Sequence, residues 1–179
     1  LELTDVTIIG HSMGGKVAMA LTQLTTIKQL VVLDMAPDAY QQRRHDNVFS
    51  GLQAVIKEQP HSRSEALNIL EKHIEIDGVR QFLTKSLFKN DHSVMEWRFN
   101  VRSLLSNYDQ IIGWEPIPTS ATRTLFIKGG NSDYLTHEHQ SSIQEQFSNA
   151  KAHVIANTGH WLHAEKPAEV LRAIRKFIV

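Results

Sequence analysis

The stretch Val6-Thr7-Ile8-Ile9-Gly10-His11-Ser12-Met13-Gly14-Gly15-Lys16-Val17-Ala18-Met19-Ala20-Leu21 decides the fold. Its first four residues are all β-branched, a run that suits a pleated, half-buried strand. From Lys16 to Leu24 the composition turns to good helix formers, which predicts a helix. Gly10 to Gly15 leave room between them only for a tight turn, so the reading is strand, turn, helix. That turn carries Gly10-x-Ser12-x-Gly14, a spacing that in this context lifts a serine hydroxyl above the end of a sheet from a strained backbone. Side chains two residues either side of the serine are predicted to collide, which asks for glycine at both Gly10 and Gly14. Gly15 is expected to let the helix approach the strand. Because the helix begins directly after Ser12, the Met13 backbone N–H faces any negative charge that forms beside the serine, with the helix dipole assisting.

Working outward, Leu30-Val31-Val32-Leu33 is a continuous apolar run ending in Asp34, as expected of a strand buried on both faces of a parallel sheet. Thr124-Leu125-Phe126-Ile127 leads to Gly129-Gly130, and Thr136 can cap a helix running to about Phe147. His153-Val154-Ile155 follows as a strand. The last helix opens with Pro167 and repeats apolar residues at Val170, Leu171, Ile174 and Phe177. The outer parts are therefore α/β with a mostly parallel sheet. From about Asp38 to Trp114 strand signals nearly vanish. Val48, Leu52, Val55 and Ile56 make an apolar stripe, Ser62 and Glu65 a capping box, and Asp77 a cap for Val79, Phe82, Leu83 and Leu87. Glu115-Pro116-Ile117-Pro118-Thr119-Ser120 is extended and marks the return to the sheet. The predicted organisation is core over 1–37, a helical cap insertion over 38–114 that roofs the site, and core again over 115–179.

The composition excludes several classes of function. In 179 residues, Lys plus Arg and Asp plus Glu stand at 19 each, so no charge surplus points to nucleic acid or an anionic membrane surface. With Cys at 0, thiol catalysis, Cys-ligated zinc and iron–sulfur clusters are ruled out. The apolar runs are far shorter than the roughly 20 residues that span a bilayer, and Leu1-Glu2-Leu3 lacks a basic leader. A cytoplasmic setting, with no cofactor, no nucleic-acid partner and no membrane partner, is the expectation.

A serine hydroxyl needs a base within hydrogen-bond reach, and in proteins with this motif it is a histidine late in the chain. Of 10 histidines, His160 follows a predicted strand through Asn157-Thr158-Gly159 and precedes the last helix, at the carboxyl end of the sheet where such folds place their sites. His137 with His139, or His160 with His163, could be a metal pair, but no acidic cluster of ligand spacing accompanies either. For the acid that orients the imidazole there are two contenders, Asp34 and Asp133. Position alone favours Asp133, which follows the later strand.

Gly10-His11-Ser12-Met13-Gly14-Gly15-Lys16, Asp34-Met35-Ala36-Pro37, Arg43-Arg44-His45-Asp46, Glu96-Trp97-Arg98-Phe99-Asn100, Gly129-Gly130-Asn131-Ser132 and Gly159-His160-Trp161-Leu162-His163-Ala164-Glu165-Lys166-Pro167 occur in this order. Over essentially the whole chain, these blocks resemble the bacterial YbfF-type esterases, small α/β-hydrolases that act on short-chain esters and acyl-CoA thioesters. The resemblance implies the α/β-hydrolase fold, here the C-terminal portion of its sheet with a helical cap insertion. It implies a serine esterase working through Ser12, His160 and Asp34, with Asp133 as the alternative acid. On that reading Met13 supplies oxyanion stabilisation, while His11 and Trp161 lie on the substrate side, core packing being the other use for Trp161. Arg43, Arg44 and Arg98 suit the phosphates of a CoA leaving group, or salt bridges within the cap. Rival readings are carbon–carbon bond hydrolysis or perhydrolysis on the same scaffold, or an inactive fragment or interaction module. The chain departs from the family in having no His-Gly oxyanion segment and none of the early strands. The expectation is thus a part of a longer protein, partnered by its own N-terminal part, poorly soluble and nearly inactive alone, with Val6 to Ile9 bare on one edge or completed by another polypeptide.

Overall fold

The computed structural model of the chain describes residues 4–178. Strand β1 (Thr7–His11), helix α1 (Met13–Leu21) and strand β2 (Gln29–Leu33) come first. Helices α2 (Asp46–Glu58), α3 (Arg63–Glu71) and α4 (Asp77–Thr84) follow, then a hairpin of β3 (Leu87–Lys89) and β4 (Met95–Trp97), then α5 (Val101–Ser106) and α6 (Tyr108–Ile112). The chain continues through β5 (Arg123–Gly129), a 3-10 turn (His137–His139), α7 (Gln140–Gln146), β6 (Ala150–Ile155), α8 (Leu162–Glu165) and α9 (Pro167–Ile178). Two compact units result: Leu1–Ala39 together with Gly113–Val179, and Tyr40–Ile112.

In the first unit β1, β2, β5 and β6 form a 4-stranded parallel sheet in the order β1-β2-β5-β6. This is the α/β architecture that the sequence pattern implies. Strand β2 is buried along its whole length because it has a neighbour on each edge and helices to either side, which is why it reads as an unbroken apolar run. Alternate residues divide between the faces. Val31, Leu33, Leu125, Ile127 and Ile155 pack with Leu162, Val170 and Phe177 from α8 and α9. On β5, Phe126 is 1% exposed and meets the ring of Phe147 edge-on at 5.7 Å. Gln29, at the start of β2, is buried but satisfied: its carbonyl accepts from Thr7 Oγ1 and its amide donates to the Phe177 carbonyl.

The register of the sheet sets where the strands end. His11 lies beside Leu33, and Leu33 beside Ile127, which in turn pairs with His153. Strands β1 and β2 therefore end level while β5 and β6 run on to Gly129 and Ile155, so the residues that follow them, Ser12, Asp34 and the turn after β5, emerge along one rim.

The Tyr40–Ile112 unit contains α2 to α6 with the β3–β4 hairpin. Ser62 caps α3, its hydroxyl accepting from the Glu65 N–H at 3.1 Å. The Glu65 carboxylate takes the N–H of His61, and this bond first, then that from Ser62, holds its pKa below the usual value. In three places local detail differs from the sequence pattern. Ile76 rather than Asp77 is the N-cap of α4, with Asp77 in its first turn. That helix stops at Thr84, and Leu87 instead pairs with Trp97 in a hairpin whose turn is held by the Asn90 side chain accepting from the His92 and Val94 amides. On α2 the buried face is Phe49, Leu52 and Val55, while Ile56 is 54% exposed.

Phe126 gives a direct measure of the sheet's core. Phe126→Ala should lower unfolding stability by about 3–5 kcal/mol, the usual cost of an emptied aromatic site. A shifted urea midpoint with unchanged slope is the expected reading.

Candidate active site

Ser12 is the single residue between β1 and α1, and its backbone is left-handed with φ 54 and ψ −125, a conformation that costs a non-glycine residue free energy. Its N–H donates to the Leu33 carbonyl at 3.2 Å, extending the β1–β2 ladder by one residue past the strand end, and its carbonyl accepts from Gly15 at 2.8 Å. A Cβ on Gly10 would sit 2.2 Å from the Gly14 carbonyl oxygen, so this glycine is required. The requirement at Gly14 differs from the sequence expectation: a Cβ there meets nothing within 4 Å. The crowding is one-sided because Gly10 faces the Gly14 backbone, whereas Gly14 faces open space. At Gly15 a Cβ would press on Val32 at 3.0 Å and Met35 at 3.2 Å, which is how α1 comes so close to β2.

Asp34 follows β2 and is fully buried, with φ 49. Its N–H donates to the Ile127 carbonyl at 2.8 Å, fixing the residue to β5. Three donors converge on its carboxylate: the Gly129 N–H on Oδ1 at 3.0 Å, and both the Ser132 hydroxyl and His160 Nδ1 on Oδ2, the latter at 2.8 Å. Since a carboxylate only accepts, Nδ1 of His160 carries the proton, and Nε2 of the neutral ring accepts from the Ser12 hydroxyl at 2.9 Å. Ser12, His160 and Asp34 are thereby joined in one hydrogen-bonded line. Asp133, the alternative acid, is exposed in the turn after β5, next to the serine that donates to Asp34.

The loop carrying His160 is anchored on several sides. A Cβ on Gly129 would lie 2.2 Å from the Gly159 carbonyl oxygen, so the end of β5 and this loop touch backbone to backbone. Asn131 N–H donates to the Thr158 carbonyl at 2.8 Å, and Gly159 N–H donates to both oxygens of Glu165 at 3.1 Å. The Tyr134 ring stacks on the His160 imidazole with centroids 3.7 Å apart and planes inclined by 19°, while its N–H donates to Ser132 Oγ. Sequence reasoning missed both Ser132 and Tyr134. Ser132 stands in the quoted Gly-Gly-Asn-Ser block, where a short loop between strand and acid was the available signal; Tyr134 had none.

Around this line lie further aromatic groups. His11 Nε2 donates to the His160 carbonyl at 2.9 Å, and its ring lies 4.3 Å from His163 and 5.5 Å from Trp161. Burial lowers the pKa of His11 to about 4; the neighbouring imidazoles of His160 and His163 push the same way, against the bond to the carbonyl. His163 is lowered too, first by burial and then by His160, and its buried Nδ1 has no hydrogen-bond partner among the described residues. Met13 opens α1, so its N–H belongs to the first turn, whose amides have no intrahelical acceptor. Lys16 is buried, donates to the Gly113 carbonyl at 2.8 Å and is lowered to about 8 by burial, which Asp38 partly opposes. Arg43, in the other unit, is engaged by Asp46 and Asp109 and lies over the Tyr108 ring. Among the described residues no group of three or more His, Asp or Glu side chains could hold a metal ion, and no helix is long and apolar enough to cross a membrane.

Comparison with known proteins identifies the family. The profile of the alpha/beta hydrolase family matches residues 1–173, and the chain belongs to that family. It is 46% identical over 179 residues to the Escherichia coli esterase YbfF, covering 99% of this chain and 68% of the relative. A putative esterase/lipase of Haemophilus influenzae is also 46% identical, with 62% of its length covered, and the mouse sn-1-specific diacylglycerol lipase ABHD11 is 35% identical, with 60% covered. Thus the chain spans about two thirds of the length of these relatives. Among solved structures, a marine microorganism esterase superposes with a TM-score of 0.91 at 32% identity, over 98% of this chain and 70% of that one.

Two outcomes test this geometry. Gly10→Ala should cost several kcal/mol or abolish soluble expression, as overpacking against rigid backbone does, whereas Gly14→Ala should leave the urea midpoint nearly unchanged. His11 binds a proton near pH 6.5 when unfolded but only near pH 4 when folded, so the unfolded state holds more protons in that window and stability falls as pH drops from 6.5 to 4. His11→Gln, which has no such proton, should lose less stability over that window, read as a smaller fall in melting temperature.

Proposed function

We propose that this chain carries the nucleophile, base and acid of a carboxylic ester hydrolase, with Ser12, His160 and Asp34 in those roles. The observation that carries the reading is the continuous line from Ser12 Oγ to His160 Nε2 at 2.9 Å and from His160 Nδ1 to Asp34 Oδ2 at 2.8 Å, together with esterase names among relatives of high identity.

His160 takes the Ser12 proton as Oγ attacks the acyl carbon. The Met13 N–H, at the positive end of α1, stabilises the oxyanion of the tetrahedral intermediate. His160 then protonates the leaving alcohol, and the acyl group stays on Ser12. Water, activated by the same imidazole, attacks the acyl-enzyme and restores the serine. Asp34 holds the ring in the Nδ1–H tautomer and offsets the positive charge that it carries between these steps. An acyl-CoA thioester fits the same cycle, with an easier acylation half, because a thiol of pKa near 8.5 departs with less help than an alcohol. Trp161, half-buried beside His11 and His160, lies on the acyl side of the substrate. With Arg43 held by two aspartates, the phosphates of CoA would fall to other cations. No cofactor enters the cycle, and the absence of cysteine suits a cytoplasmic setting.

The whole protein is the unit that this reading concerns. Strand β1 ends the sheet order among the described residues, and Ile9, Met13 and Val17 are 48%, 47% and 62% exposed. An earlier segment of the same protein, pairing with β1 and covering these side chains, is part of the proposal, as is a second oxyanion N–H from that segment.

Ser12→Ala and His160→Ala in the whole protein should each lower ester turnover by at least roughly a thousandfold and, for Ser12→Ala, abolish labelling by a fluorophosphonate. Asp34→Asn should cost on the order of 10⁴ in kcat, while Asp133→Asn stays within a few fold. Turnover of a p-nitrophenyl ester and of an acyl-CoA checks both, and the reverse ranking of the two aspartates would move the acid to Asp133.

A further inference from the structure

We propose that His11 is a positioning residue whose side chain fixes the main chain of His160 and so sets the reach of the base to Ser12. This rests on the esterase reading and extends it to a residue that touches no reacting atom.

His11 is the last residue of β1 and the immediate neighbour of Ser12. Its Nε2 reaches the His160 carbonyl at 2.9 Å, across 149 residues of sequence. A carbonyl can only accept, so Nε2 carries the proton of this ring. The strand that presents the nucleophile is thereby tied directly to the residue that supplies the base. Other restraints on the His160 loop come from elsewhere: Asn131 and Gly129 at the end of β5, and Glu165 from α8. Asp34 and Tyr134 orient the ring, but neither holds the backbone from which it hangs. Among the described residues, the His11 bond references that backbone directly to the Ser12 strand. Burial, with His160 and His163 as neighbours, keeps the imidazole neutral down to about pH 4, so no charge is placed beside a base that must itself become positive during turnover.

Misplacement of a reacting group by about 1 Å can cost on the order of a hundredfold in rate, so the loss should appear in kcat rather than in KM. Atom position separates positioning from simple packing. Glutamine places an N–H donor where His11 has Nε2, whereas asparagine places it nearer the Nδ1 position, and phenylalanine keeps the ring's bulk but donates nothing. In the whole protein, kcat and KM for a p-nitrophenyl ester, the rate constant for fluorophosphonate labelling and the melting temperature are measured for wild type, H11Q, H11N and H11F. The expected result is a roughly tenfold to hundredfold fall in kcat and in labelling rate for H11F and H11N with KM within about twofold, and H11Q within about threefold of wild type in both. A wild-type kcat in H11F, a raised KM at unchanged kcat, or an H11Q as slow as H11F at equal melting temperature overturns the role of His11 while leaving the esterase reading in place. Should H11F not fold, the contrast between H11Q and H11N decides alone. A wild-type protein that neither labels nor turns over ester overturns the esterase reading, and this proposal with it.

Discussion

The buried carboxylate of Asp34 is the constraint on which the site depends. A carboxylate taken out of water is tolerated only when its lone pairs are met by donors, and here they come from separate pieces of chain: the Gly129 amide at the end of β5, the Ser132 hydroxyl beyond it and the His160 ring beyond β6. Satisfying one side chain thus pulls the turn after β5 and the loop after β6 onto the end of β2. Removing any of these donors leaves the carboxylate underbonded, so the same bonds that orient the imidazole also hold the carboxyl rim of the sheet together.

The sheet makes this convergence cheap. In this parallel sheet, Ser12 and Asp34 continue the ladder by one hydrogen bond each, to Leu33 and to Ile127, before the backbone turns into the left-handed region. Both residues are strained in the same sense, and in both cases the preceding strand is locked on a neighbour. Strain of this kind persists only where the surroundings over-determine the backbone. Close backbone contacts at Gly10 and Gly129 show how little space separates the elements that meet there.

Much of this was legible in the chain. The β-branched run before Gly10 and the apolar block ending at Asp34 are short unbroken runs of strand length, and the Pro167 helix follows a period of 3.6, patterns that local sterics and burial impose on any sequence. Ser62 as a cap was equally readable, since its partner lies three residues away. The hairpin at Leu87–Trp97 was not, because strands of three residues carry too little pattern to be told from a helix end. Gly14 misled for another reason: a symmetrical motif suggested symmetrical crowding, while the actual space around each glycine depends on which way the turn leans.

What the sequence determined by itself was the order of the sheet's strands and flanking helices, the strand–turn–helix that carries Ser12, and the placing of His160 at the end of a strand, all consequences of interactions between residues close together in the chain. Reading the residues alone left Asp34 and Asp133 open, and only the resemblance to known esterases leaned toward Asp34. Tertiary structure decided that it is Asp34 whose carboxylate meets the imidazole, that Ser132 and Tyr134 join it, and that His11 turns its ring to the His160 main chain rather than to open space. The three hydrogen bonds among them join residues 98, 126 and 149 positions apart. Nothing in local propensity encodes them: they exist because four parallel strands bring their ends to one rim, and the geometry of that rim is a property of the folded sheet.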